Sequence, residues 1–245
     1  MGKYIKLFNT HAEYENARQN LILPNVSLCA QENEVHYNPW VETRVVAKYN
    51  VTDTSSPTKI GYYQYVSGFS EIEIDGVVQP SVVSAYTFST TGEHTVKYTL
   101  TDPTTIVYSA FANCTSLTSI TIPDSVTSIS SDAFEYCSGM TSIDIPDSVT
   151  SIGSNVFTSC DGLTSVTIGS GVTYIGWLVF VNCKNITNMI IRAATPPALE
   201  RGQSSSPASD TFSGSYPIYV PSESVNDYKA AQYWSRIESR IQAMP

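Results

Sequence analysis

The chain has 245 residues, with 13 Lys and Arg against 22 Asp and Glu, so its formal net charge is −9. Charged residues make up 14% of it, whereas an average soluble domain has roughly 25%. This composition excludes a charge-rich disordered protein and a coiled coil. The scarcity of Lys and Arg argues against binding to nucleic acid or anionic lipid. No apolar run approaches the roughly 18 residues of a membrane helix, so we expect no membrane insertion.

The first segment, residues 1–40, is predicted to form a short helix followed by a hairpin. Thr10 and Glu13 have the spacing of a capping box, which favours a helix over 11–19. The runs NVSLC and EVHYN then favour two strands around AQENE. The start has no long apolar region, so it is not a signal peptide. Either the protein is not secreted by that route or a leader has been removed.

Residues 41–105 are predicted to be rich in strands. Runs such as RVVAKYNV, KIGYYQYV, EIEIDG, SAYTFST and EHTVKYTL are strand-like and are separated by turn residues. We interpret this segment as a small β-sandwich-like module or a β-rich N-terminal cap. The run GYYQYVSGF at 61–69 concentrates tyrosines, which suit direct recognition, as in antibody loops, but also suit packing on a sheet.

Residues 106–192 contain repeats, which start at Phe111, Phe134, Phe157 and Phe180. These four copies align without a gap and have a period of 23 residues. A cysteine follows each Phe by three positions, at Cys114, Cys137, Cys160 and Cys183. An incomplete copy precedes them in VKYTLTDPTTIVYSA. One unit cannot close a core alone, so the pattern predicts a solenoid in which stacked units bury a continuous apolar column.

Within one unit, Ile120 and Ile122 alternate with polar residues, which predicts a strand with one face buried. Pro123 and Asp124 end that strand, since Pro lacks a donor and Asp suits a turn. A second short extended piece follows. The third copy departs from this pattern, because Gly169, Ser170 and Gly171 replace Pro-Asp-Ser, and we expect a looser turn there.

The unit reads IPDSVTSI in the first two full copies, and F-x-x-C recurs in all four. In these features it resembles the BspA-like leucine-rich repeat, over about residues 94–191. The resemblance implies a curved, non-catalytic solenoid that is used for adhesion or protein recognition on bacterial surfaces. It also implies that the IYVPSESVNDYKAAQYWSRIESRI segment closes the chain.

Residues 193–245 are predicted to contain a degenerate last repeat, which begins near Phe212, a polar loop and a C-terminal helical cap. The helical interpretation rests on apolar residues that recur at helical spacing: Val225, Tyr228, Ala231, Trp234, Ile237 and Ile241. The predicted fold class is therefore mostly β, with a solenoid between an N-terminal β-rich module and this cap.

Candidate chemistry in the repeats is weak. Identical cysteine positions stack in a line, whereas zinc needs four converging ligands, so we interpret the Phe and Cys ladders as structural. Asp124 and Asp147 lie one period apart, and turn chemistry explains them without calcium. No hydrolase, phosphate-loop or metalloprotease motif occurs. We therefore expect no catalytic residue, no metal and no cofactor.

Two surfaces are candidate contact sites. The outward positions of the strands form a polar, nearly uncharged face that consists of Ser119, Thr121, Ser142, Asp144, Ser165, Thr167, Asn188 and Ile190. In the third copy, four positions that are small or polar elsewhere become apolar together: Tyr174, Trp177, Leu178 and Val181. Either the C-terminal helices or the 193–216 segment folds back over this patch, or the patch contacts a partner or a second copy.

The leading functional hypothesis is a surface-exposed binding or adhesion protein that recognises a protein or glycan through the solenoid face. A structural spacer or phage virion-associated module that presents other parts is the alternative. We expect a monomer or weak homo-oligomer at the cell surface or outside the cell. A phage virion and the cytoplasm are the alternative locations.

Overall fold

The protein is described by a computed structural model that covers residues 44–200 and 211–245. The described residues belong to one compact unit, Thr43–Pro245. The helix and hairpin predicted over 1–40 lie outside the described residues. So do residues 201–210 of the predicted polar loop.

The N-terminal part of this unit contains an antiparallel sheet. Its strands are β1 (Val45–Val51), β3 (Phe69–Ile74), β4 (Val77–Val78), β6 (Gly92–Leu100) and β8 (Leu117–Thr121), in the order β4-β3-β6-β1-β8. Two short strands, β2 (Thr58–Lys59) and β5 (Ala85–Tyr86), pair separately. Alternate residues of β1 and β6 are buried, as strands with one packed face require. The region is thus built on one five-stranded sheet and a two-stranded ribbon.

Strand β6 differs from the sequence prediction. VKYTL was interpreted as the start of an incomplete repeat, but it lies in β6 and pairs antiparallel with both β1 and β3. The repeat geometry begins later, at β7 (Thr105–Ile106), which pairs parallel with the next coil. The alternation of apolar residues is the same in both settings, so it does not distinguish a repeat strand from a strand of the N-terminal sheet.

The repeats form a solenoid with two parallel sheets. The longer strands are β10 (Ser142–Ile145), β12 (Ser165–Ile168), β14 (Asn188–Ile191), β16 (Ile218–Val220) and β17 (Ile241–Ala243). The shorter ones, two residues each, start with β7 and continue as β9 (Ser128–Ile129), β11 (Ser151–Ile152), β13 (Tyr174–Ile175) and β15 (Ala198–Leu199). Strand β8 of the first copy lies next to β10, and a hydrogen bond from Thr141 N–H to the Thr118 carbonyl joins these two coils.

The core is a column of stacked aromatic rings. Phe111, Phe134, Phe157 and Phe180 are fully buried, and the centroids of successive rings lie 5.3, 5.4 and 5.3 Å apart with nearly parallel planes. The column continues to Phe212, whose ring centroid is 6.0 Å from that of Phe180. Each ring therefore packs against the same residue of the next coil, which accounts for the 23-residue recurrence of Phe.

The recurrent threonines hold neighbouring coils together. Thr150 Oγ1 donates to the Thr127 carbonyl at 3.1 Å, and Thr173 Oγ1 donates to the Thr150 carbonyl at 3.2 Å. A second ladder joins Thr164 to Thr141 and Thr187 to Thr164 at another corner. These hydroxyl groups add side-chain hydrogen bonds to the backbone bonds between coils, which explains the recurrent Thr at two positions of each unit.

The C-terminal segment contains less helix than its apolar spacing predicts. A six-residue helix α1 (Val225–Ala230) follows the 3₁₀ turn Ser222–Ser224, and a 3₁₀ helix spans Trp234–Arg240. Tyr233, with φ of 71°, separates the two helices. Ile241, which the spacing placed on a helix, instead begins β17 and pairs with β16. The segment thus extends the longer parallel sheet as well as packing on the last coil.

Candidate functional site

The outward residues of the longer sheet form two rows in register. Ser142, Ser165 and Asn188 are paired from strand to strand. Asp144, Thr167 and Ile190 form the second row. Intervening residues such as Ile143 and Val166 are buried. The structure therefore brings these six predicted residues together on one face, and all of them are half-buried or exposed.

Strand β1 widens this face. Ser119 and Thr121 of β8 lie opposite Lys48 and Val46 of β1, so the exposed face of the solenoid continues across the N-terminal sheet. That part carries ion pairs, which include Lys48 with Glu93 at 2.8 Å. A face expected to be nearly uncharged therefore has a charged side. The sequence pattern did not reveal this charged side, because the antiparallel pairing of β1 with β8 joins residues about 70 positions apart.

A groove lies at one end of these strands. It has a volume of about 590 Å³, and Thr121 and Asp144 of the predicted face line it. The other lining residues are Ile120, Ile122, Asp124, Pro146, Asp147, Ser148 and Arg192. Arg192 Nη1 lies 3.8 Å from Asp144 Oδ1, and both side chains are largely exposed. The groove thus combines an apolar floor, three carboxylates and one guanidinium.

The glycines of the third copy do not loosen the turn as predicted. A Cβ at Gly169 would lie 2.4 Å from the carbonyl oxygen of Pro146, and one at Gly171 would lie 2.1 Å from the carbonyl oxygen of Asp147. The two coils therefore approach more closely than side chains at these positions would allow. Ser170 N–H donates to Asp147 Oδ1 at 2.7 Å, and this bond lowers the pKa of the Asp147 carboxyl.

The cysteine ladder is buried and makes hydrogen bonds that the sequence pattern did not reveal. Cys137, Cys160 and Cys183 each donate from Sγ to the carbonyl of the Phe that begins the preceding copy, at 3.0–3.1 Å. Burial raises the pKa of Cys114 and of Cys183 to about 12, and it raises the pKa of the other two thiols well above the ordinary value. The thiols are thus protonated at neutral pH, which gives them low reactivity as nucleophiles.

The corner that carries Tyr174, Trp177, Leu178 and Val181 is only partly exposed. Tyr174 keeps 38% of its surface, and the other three are half-buried. The equivalent residues in the first two full copies are not fully exposed either, since Thr158 is buried and the others are half-buried. Ser131 and Ser154, the equivalents of Trp177, have a structural role, since Ser131 Oγ accepts a hydrogen bond from Ser154 N–H at 3.1 Å.

The segment after the fourth copy lies beside this corner. Strand β15 pairs with β13, so that Ala198 is opposite Tyr174. Ser154 Oγ and Trp177 N–H both donate to the Glu200 carboxylate. Desolvation and the charge of Glu200 raise the pKa of the Tyr174 hydroxyl. These contacts favour the alternative in which the 193–216 segment covers the patch.

Neither a metal cluster nor a membrane span occurs in residues 44–200 and 211–245. No group of three His, Cys, Asp or Glu side chains there could hold a metal ion. Within the same ranges, no helix has the length and apolar character needed to cross a membrane.

Comparison with known proteins identifies the repeats. Residues 81–196 match the family described as BspA type leucine rich repeat region, in six copies. A search of curated proteins gave no match to the chain. The family match begins before Phe111 and includes β6, although β6 pairs antiparallel in the N-terminal sheet.

Proposed function

Since residues 81–196 of this chain belong to the BspA-type leucine-rich repeat family, we propose that the protein is a non-catalytic binding scaffold exposed at the cell surface. Proteins with these repeats are typically surface-associated and generally non-enzymatic. The chain binds a protein or a glycan through the strand face, as a monomer or weak homo-oligomer. No cofactor takes part.

One observation carries the proposal, namely the groove on the strand face. A volume of about 590 Å³ lies within the range of roughly 300–1,000 Å³ that is typical of ligand sites. Its three carboxylates outnumber the single Arg192, and the whole chain is acidic. Charge complementarity therefore favours a protein segment that places Lys or Arg beside an apolar side chain, with Asp144 and Asp147 as the main acceptors.

A structural module is the second candidate. The aromatic column and the parallel sheets form a continuous stack that is suited to spacing other parts apart. In that role, within a phage virion or on a cell, the groove would have no ligand. A cytoplasmic location fits the same spacer function.

Peptide and glycan arrays probed with the full chain distinguish the two functions. The binding function predicts that basic peptides are bound, and that the pair Asp144→Asn and Asp147→Asn weakens binding about tenfold by removing two charges. The matched control is Asp161→Asn, which also removes an exposed carboxylate but does not line the groove. Absence of binding to every feature of both arrays contradicts the binding function and favours the spacer.

A further inference from the structure

A cluster of tyrosines lies where the N-terminal sheet meets the first coil. Tyr62 stacks with Tyr65 at 5.9 Å between ring centroids, and the ring of Tyr65 meets that of Tyr108 edge-on at 5.0 Å. Tyr63, beside Tyr62 at 5.3 Å, is 64% exposed. KIGYYQYV was predicted as a strand, but apart from Lys59, the last residue of β2, its tyrosine-rich part is a loop that leads into the 3₁₀ turn Val66–Gly68. The tyrosines are therefore presented on a loop at the surface.

This loop is held firmly in place. Tyr62 N–H donates to the Ala110 carbonyl at 3.0 Å, which ties the loop to the first coil. At its start, the Ile60 carbonyl accepts from the buried hydroxyls of Tyr49 at 3.1 Å and Tyr98 at 2.6 Å. A loop fixed at several points loses little conformational entropy when a ligand binds, so its tyrosines are preorganised.

A polar pocket lies between the loop and the first two coils. Its volume is about 190 Å³, and Tyr62, Tyr65 and Tyr108 line it together with Gln64. The solenoid adds further polar groups, chiefly Asn113, Asp132 and Glu135. A hydrogen bond to Asp132 raises the pKa of the Tyr108 hydroxyl. Partial burial, and then the charge of Asp132, raise the pKa of the Glu135 carboxyl.

We propose that this pocket binds one neutral sugar residue of a glycan. A sugar ring presents several hydroxyls that both donate and accept. The pocket matches them, since Asp132 and Glu135 accept, and the amides of Gln64 and Asn113 and the tyrosine hydroxyls can do either. The volume of about 190 Å³ is equal to about six waters at roughly 30 Å³ each, which gives room for one sugar ring.

The charges define which sugars fit. Asp132 and Glu135 repel the carboxylate of a uronic or sialic acid, so the pocket selects neutral rings. The two carboxylates also attract an ammonium group, but an ammonium cannot use the donors of the two amides, so a lysine side chain is the competing ligand to be tested. Moreover, Lys59 Nζ already lies 4.5 Å from the centroid of the Tyr62 ring. This site is separate from the strand-face groove and shares no lining residue with it.

To test this proposal, the full chain is titrated with single glycosides, and binding is measured by saturation-transfer NMR and calorimetry. The probes are the methyl glycosides of galactose, mannose and N-acetylglucosamine, with methyl glucuronide as the anionic comparison. At least one neutral glycoside should bind, and the glucuronide should bind about tenfold more weakly or not at all. Binding of the glucuronide as tight as that of every neutral glycoside would overturn the proposal.

Variants locate the binding. Asp132→Asn and Glu135→Gln should each weaken binding of the neutral glycoside about tenfold, since each removes a charged acceptor. Asp132 has φ of 58°, which Asn tolerates, so that variant should keep its fold. The control is Asp161→Asn, which removes an exposed carboxylate that does not line the pocket. The proposal is wrong if no neutral glycoside binds, if neither pocket variant weakens binding, or if lysine methyl ester displaces the sugar.

Discussion

The two ends of the solenoid are closed by different structures that meet the same need. At the N-terminal end, an antiparallel sheet joins the first coil through β1 and β8, and Phe69 and Tyr98 pack on Phe111 at 5.4 and 5.0 Å. At the C-terminal end, β16 and β17 continue the parallel sheet, and Trp234 packs on Phe212 at 5.1 Å. Each end of the solenoid is therefore closed by a strand that pairs with the terminal coil and by an aromatic side chain that packs on the end of the Phe column.

This difference shows which features are required to close the end of a repeat solenoid and which can vary. The apolar column of a coil must be covered, and its strand must find a partner, but neither requirement fixes the direction of the covering strand. The carbonyls and hydroxyls at the ends also need partners. At the C-terminal end, Trp234 Nε1 donates to the Pro197 carbonyl and Tyr228 donates to the Ala193 carbonyl, both at 2.8 Å.

Removal of residues 222–245 should have the largest effect. It deletes the buried side chains of Tyr228, Trp234, Ile237 and Ile241. Each contributes roughly 2–3 kcal/mol by burial, and their sum rivals a typical folding stability of about 5–15 kcal/mol. We expect aggregation or a markedly lower Tm, measured by size-exclusion chromatography and calorimetry.

The matched control removes only Pro245, which is exposed. Because β16 covers β14, the deletion exposes Ile218, Val220 and Phe212 rather than the strand of the fourth copy. A monomer with an unchanged Tm would mean that the terminal segment is an appendage, and the comparison of the two ends would fail.

Single aromatic truncations separate the middle of the column from its end. Phe157→Ala and Trp234→Ala should each cost about 3–5 kcal/mol in the free energy of unfolding. Phe157 packs between Phe134 and Phe180, so its loss should weaken amide exchange protection in coils on both sides. Loss of protection in Trp234→Ala should be confined to the C-terminal end.

The control for these variants is Tyr63→Ala, which should change stability by less than about 0.5 kcal/mol because the side chain is exposed. Equal loss of protection throughout the chain in both core variants would contradict the nearest-neighbour behaviour on which the comparison rests.

How far the sequence predicts this fold depends on whether a residue's partner lies one period away. The Phe and Cys ladders follow from a fixed spacing, and the BspA-type resemblance is confirmed over residues 81–196. The pairing of β1 with β8 and the contact of the tyrosine loop with Ala110 were not predictable in this way. They join distant segments with no shared period, and alternation alone gives neither partner nor direction.

The candidate site was predictable in part for the same reason. The outward rows of the strand face follow from alternation within the repeat. The groove is lined in part by Arg192, which stands where earlier copies have Pro123, Pro146 and Gly169 and therefore carries no repeat signal.

The buried thiols should make the protein less stable at alkaline pH. Their pKa values are raised in the folded state, so their stabilising contribution is complete below the ordinary thiol pKa of about 9. It is then lost as the pH rises toward the folded value of about 12, because the unfolded chain ionises first. Each thiol should lower the free energy of unfolding by about 1 kcal/mol per pH unit in that range.

Urea unfolding between pH 8 and 11 measures this slope, and Cys160→Ala should reduce it. Cys29 lies outside the repeats, so it is replaced by Ser in the labelling experiment. The same burial predicts that a thiol reagent at pH 8 labels Cys114 and Cys183 at the two ends as slowly as the middle pair. Fast native labelling of Cys114 alone would show that the N-terminal end is less well closed.

The smallest effect concerns backbone strain at a repeated corner. Each copy has a left-handed residue one position before its Cys, namely Asn113, Tyr136, Ser159 and Asn182, with φ between 57° and 62°. Asn adopts this conformation readily, whereas a larger side chain pays a penalty of roughly 1–2 kcal/mol. Because Tyr136 is 47% exposed, little burial offsets its strain. Tyr136→Asn should therefore raise the free energy of unfolding by about 1 kcal/mol, and Asn182→Tyr should lower it by a similar amount, as measured by urea titration. The paired variants test whether a middle coil and a coil near the C-terminal end obey the same local rule. Destabilisation by Tyr136→Asn would mean that the Tyr136 ring makes a stabilising contact that outweighs its backbone strain.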